Sequence, residues 1–171
     1  MITKLTDFKV SMLTELTSFI QSQAAALSLA DLDRLIVESP ALRERFAGIP
    51  LDRYPYLSDQ LEFLLLFVEE HVVGRSRDLT EEPVGEAAFA LLYFQRTTDL
   101  IPDSIPGLGL LDDAMIVGLV LRRREEAFRR TLYGYKLRWP EPKFDVDQLL
   151  SVISPLRVTS FCSSLANRPA A

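Results

Sequence analysis

Histidine and cysteine, the side chains behind most zinc sites and many nucleophilic dyads, occur once each in 171 residues. His71 alone cannot build a His-rich zinc site, and no nucleophile elbow accompanies it for a Ser-His-Asp triad. It is read as a helical surface or core residue. Cys162 cannot form an intramolecular disulfide, which excludes a disulfide-stapled secreted fold and points to a reducing compartment. Nothing beside it activates the thiol, so it is read as inert. Long apolar runs are also missing. Runs such as Phe63–Val68 and Ala114–Leu121 fall well short of the roughly 20 residues that span a bilayer. The first residues, MITKLTDFKVSMLTELTSFI, lack the continuous apolar core and small-residue cleavage site of a signal peptide. A basic excess is absent too: the net charge is −5, which opposes a general nucleic-acid coat. The expected location is cytoplasmic, with peripheral contact to a membrane surface as a further option.

What is present is a globular, helical pattern. Apolar residues make up 48% of the chain and charged residues 25%, both near the average for folded domains. Residues 2–27 form an amphipathic stripe, with Ile2, Leu5, Phe8, Met12, Leu16, Phe19 and Ile20 at steps of three and four. Ser28 followed by Asp31 marks the start of a short helix over 29–38. Ser39-Pro40 opens another, ended by Gly48. IPLDRYPYL is an irregular connector, because Pro50 and Pro55 push the residues before them out of the helical region. Ser58 is expected to cap DQLEFLLLFVEEHVV, a helix apolar on most of its circumference and therefore central. EEPVGEAAFALLYFQR follows, then a single long helix from Asp112 to about Tyr133, and a last short helix, VDQLLSVI, after Asp145. No strand alternation runs beyond four residues. The expectation is an all-α fold: one domain over 1–171, a compact bundle of about seven helices with a Pro/Gly-rich buried crossover, and a frayed tail at 163–171.

That crossover is DLIPDSIPGLGLLDD, residues 99–113, with four aspartates and no basic residue. Pro102 and Pro106 force extended geometry on Ile101 and Ile105, while Gly107 and Gly109 permit positive φ. Its apolar content implies burial, and a buried loop needs partners for its backbone N–H groups. Short carboxylates supply them, so Asp99, Asp103, Asp112 and Asp113 are read chiefly as structural caps. The alternative is a divalent cation, Mg²⁺ or Ca²⁺, held by the same four oxygen donors. Against it, Asp112 and Asp113 point about 100° apart on a helix, and no carboxylate lies one turn on. The spacing also fails the EF-hand pattern. Gly107-Leu108-Gly109 follows no strand and has Asp112 where a third glycine belongs, so it is no dinucleotide or Walker fingerprint.

The same stretch closely resembles the signature of the bacterial YkvA-like family, a domain of unknown function. That signature runs Asp-Leu-Ile-Pro-Asp-Phe-Ile-Pro, then Leu-Gly, then Leu-Asp-Asp. The chain matches at Asp99 to Asp103, Ile105, Pro106, Leu108, Gly109 and Leu111 to Asp113, and departs at Ser104 and Leu110. The resemblance spans about residues 85–125 and implies a helical hairpin core. It implies no activity, and the membrane association of some members lends support to a peripheral role.

RRREEAFRRTLYGYKLR carries seven basic residues: Arg122, Arg123, Arg124, Arg129, Arg130, Lys136 and Arg138. Read as a site, it would contact an anion or a lipid surface. Read as structure, it is a solvated helix end, with Glu125 and Glu126 pairing one turn on with Arg129 and Arg130. No catalytic residue and no resident cofactor emerge. The leading expectation is a non-enzymatic protein-interaction or scaffold protein, with a protein partner or self-association and no identifiable small-molecule ligand. The alternatives are a divalent-metal-dependent enzyme using the aspartates and a peripheral membrane protein using residues 122–139.

Overall fold

A computed structural model describes residues 2–74, 82–96, 110–132 and 139–140, without the side chains of 2–9, 74, 131 and 132. Seven helices and no strand occur among them: α1 (Ile2–Ala25), α2 (Leu29–Val37), α3 (Ser39–Ala47), α4 (Leu57–Gly74), α5 (Glu82–Gln95), α6 (Leu111–Arg123) and α7 (Glu125–Leu132). The all-α bundle expected from the periodicity is therefore what forms. Residues 99–109 of the expected crossover, the helix expected after Asp145 and the tail at 163–171 lie outside the described residues.

The helix starts follow local chemistry. Ser28 and Asp31 form a complete capping box: the Asp31 carboxylate accepts the Ser28 backbone N–H at 2.9 Å, and the Ser28 hydroxyl accepts the Asp31 N–H. At α3 the cap is Glu38 rather than Ser39, which sits inside the first turn with Pro40. Likewise α4 begins at Leu57, one residue before the expected cap Ser58.

The core is built around α5, where every residue from Val84 to Phe94 is buried. It packs against α1, α2, α4 and α6. Small residues let those neighbours approach. A Cβ on Gly85 would lie 3.4 Å from the Ala24 carbonyl oxygen of α1, so the two backbones nearly touch. Met12, Leu16, Phe19 and Ile20 of the α1 stripe are buried against this centre. Phe19 meets Phe89 edge-on, with ring centroids 5.6 Å apart. The end of α5 is tied down by Arg45, which donates to the carbonyls of Phe94 and Gln95 and stacks over the Phe94 ring. Between α3 and α4, Arg43 forks onto Glu69 and also reaches Glu62.

One expectation fails. The helix foreseen from Asp112 to about Tyr133 is broken at Arg124, whose ψ of 14° leaves the helical range. The chain turns there, and α7 points Phe128 into the core against Phe63 and Phe67 of α4. A straight helix would keep one apolar stripe. The break provides a second direction of burial, and the Arg124 side chain is held beneath it by α5.

Candidate functional site

α5 and α6 form an antiparallel hairpin with buried carboxylates at both ends. At one end, Tyr93 of α5 faces the first turn of α6. Asp112 and Asp113 occupy the second and third positions of that turn, behind Leu110, which offers no side-chain cap. Asp112 is wholly buried and Asp113 nearly so. The Tyr93 hydroxyl donates to Asp112 Oδ2 at 2.7 Å, and the Asp113 backbone N–H donates to Asp112 Oδ1 at 3.2 Å. A neutral donor and a backbone donor thus occupy the two oxygens. Tyr54, from the connector before α4, stands within electrostatic reach of both aspartates. Burial pushes its phenol above the ordinary value, Arg53 opposes that shift, and Asp112 and Asp113 add to it. Tyr54 accordingly stays protonated at neutral pH. Asp99 and Asp103 lie outside the described residues. Among the described residues, no group of three His, Cys, Asp or Glu side chains is arranged to hold a metal ion.

At the other end the carboxylate is Glu86, two helical turns before Tyr93 and 1% exposed. Its Oε1 accepts from Arg124 at 2.7 Å and Arg123 at 3.3 Å, both from the end of α6. Arg124 also reaches the exposed Glu82. Glu86 and Glu82 together hold the Arg124 guanidinium more firmly protonated than usual, against the cost of its burial. Glu86 Oε2 and Arg124 Nε have no hydrogen-bond partner among the described residues. The sequence reading did not single out Glu86. The available signal was one acid in the run VGEAAFALLYF, where every neighbour is small or apolar.

The remaining basic residues are largely engaged. Arg129 pairs with Glu125 and Arg130 with Glu126, both at 2.7 Å and one turn apart. Arg129 also lies over the Trp139 ring, 4.6 Å from its centroid. Arg122 is exposed, and Lys136 and Arg138 lie outside the described residues. His71 is half-buried and stacks on Phe67. No helix among the described residues is long and apolar enough to cross a membrane.

The hairpin is also where the chain meets a known family. Residues 84–119 match the model of a protein family described as a protein of unknown function, DUF1232. The match begins inside α5 and ends inside α6, so it covers Glu86, Tyr93, Asp112 and Asp113 and stops short of Arg123 and Arg124. The match spans the aspartate-rich stretch 99–113. No curated protein and no solved structure matches the chain.

Proposed function

We propose that this chain is a non-enzymatic helical scaffold that acts by binding another protein or a second copy of itself, with its YkvA-like hairpin as the internal frame. The observation that supports this reading is the sealing of Asp112. A carboxylate with no exposed surface, holding a phenol and a backbone N–H, serves the fold and is closed to substrate. The arginines of residues 122–130 support it as well, because four of them face carboxylates of the chain itself. On this reading the protein needs no resident cofactor, and neither Mg²⁺ nor Ca²⁺ is part of its working form.

The test is a thermal melt with and without Mg²⁺, Mn²⁺ and Ca²⁺, on wild type and on Asp103→Asn. The expected result is no metal-dependent change in Tm for either. A Tm raised by metal in wild type but not in Asp103→Asn would turn the reading toward a metal-dependent enzyme. Sedimentation over a range of concentrations, alone and with material captured from the native host, measures the binding half of the proposal. A chain that stays monomeric and captures nothing defeats that half. Capture on anionic vesicles that is lost in high salt would favour the peripheral-membrane alternative.

A further inference from the structure

A half-open cleft of about 460 Å³ lies where the end of α1, the length of α2 and the end of α5 meet, on a different part of α5 from Glu86. Clefts that hold small ligands begin at about 300 Å³. Asp31 and Arg34 of α2, Glu38 between α2 and α3, and Arg96 after α5 line this one, so it holds two carboxylates and two guanidiniums. Leu27 and Leu92 add an apolar lining.

The four charges are not equally committed. Asp31 is taken up by the Ser28 backbone and hydroxyl and by Arg34 at 3.1 Å. Those hydrogen bonds, with smaller help from Arg34 and Arg96, hold its carboxyl below the ordinary value. The other pair is open. Glu38 accepts the Gln95 amide on Oε2, and its Oε1 has no partner among the described residues. Arg96 uses its backbone N–H on the Tyr93 carbonyl, and its half-buried guanidinium makes no hydrogen bond or ion pair within the described residues.

We propose that this cleft binds a small zwitterion of the α-amino-acid class with an apolar side chain. A guanidinium beside an apolar wall is a carboxylate receptor, since its planar fork matches two carboxylate oxygens. The open Glu38 oxygen receives the ammonium group. Leu27 and Leu92 receive the side chain. Overall neutrality favours a ligand that carries both charges, because an anion alone would leave Glu38 unanswered and an amine alone would leave Arg96 unanswered. The site depends on three separate helices, so it exists only in the folded chain.

Calorimetric titration of the full chain with L-leucine tests this, with 4-methylpentanoate and 3-methylbutylamine as probes bearing one charge each. Leucine is expected to bind saturably, in the millimolar range or tighter. Arg96→Gln and Glu38→Gln are each expected to weaken it about tenfold or more, the loss of one charge-assisted contact. Both positions are partly exposed at helix ends, and circular dichroism on each variant checks that the helices persist. Leucine should bind more tightly than either singly charged probe. No saturable leucine binding up to about 50 mM, well above the millimolar range of weak specific ligands, overturns the proposal. So does binding unchanged in both variants. A loss confined to Arg96→Gln, with 4-methylpentanoate binding as well as leucine, reduces the cleft to a carboxylate site and overturns the zwitterion assignment.

Discussion

Two buried carboxylates sit at opposite ends of one hairpin, and the chain stabilises them differently. Glu86 takes two guanidiniums on a single oxygen, from arginines that remain about one-fifth exposed. Asp112 takes a phenol and a backbone N–H, one on each oxygen, in a fully enclosed position. The Glu86 end is an ion pair whose cations keep a path to water, so their desolvation is only partial. The Asp112 end spreads one charge over short directional donors and closes the junction from α5 to α6. Strength at the first end depends on charge, and at the second on geometry.

The largest predicted effect comes from stripping the first end of its cations. Arg123→Ala with Arg124→Ala leaves Glu86 buried and unanswered, and should cost about 3–5 kcal/mol in urea unfolding. Adding Glu86→Gln to that double variant should recover a substantial part of the loss, because the uncompensated charge disappears. A loss under about 1 kcal/mol would mean that water reaches Glu86 and that the contrast between the ends is false.

A smaller effect is expected at the second end. Tyr93→Phe keeps the ring and deletes one donor from a buried acceptor, for about 1–3 kcal/mol. That cost should hold between low and high salt, since a fully buried contact is little screened. A cost that shrinks in salt would put the Asp112 end in the same electrostatic class as Glu86.

The smallest effect belongs to a third carboxylate, Glu69, which is more exposed than either. The Arg43 fork holds its carboxyl below its ordinary value, against a desolvation cost. A depressed carboxyl contributes stability above the unfolded value of 4.5 and loses it as pH falls through the lower folded value. Glu69→Gln should therefore lower stability at neutral pH and flatten the loss between neutral pH and strong acid, as read by denaturant midpoints across pH. An unchanged acid slope would show that Arg43 adds no pH-dependent stability there.

Some of this was legible in the residues. Ser28 and Asp31 announce their capping box because the interaction is local, three residues apart. Gly48 ends α3 for a similarly local reason. The α1 stripe reads correctly as far as Met12, Leu16, Phe19 and Ile20, since periodicity reports a buried face directly. What escaped was non-local. The 112–133 segment is uniformly helix-forming, and its break at Arg124 depends on Glu86 some forty residues earlier and on a place for Phe128 between two rings of α4. α4 is expected at the centre because it is apolar on most of its circumference, and it does pack against α3, α5 and α6. The helix buried without a break, from Val84 to Phe94, is α5, where Gly85 lets the backbone of α1 come close. The α1–α2–α5 cleft was invisible because Leu92 of α5 and Arg96 just after it come more than fifty residues after Asp31, Arg34 and Glu38.

The burial of α5 from Val84 to Phe94 bears on what a shared segment can mean. The matched stretch 84–119 consists of most of that helix, residues 96–110 and most of α6, whose described residues are mainly turned inward. A protein matched to this chain through that stretch alone is matched through its interior. The outward faces of α1, α2, α3 and α7 lie outside the matched stretch. If the proposed binding role holds, choice of partner is expected to be written on those outer faces.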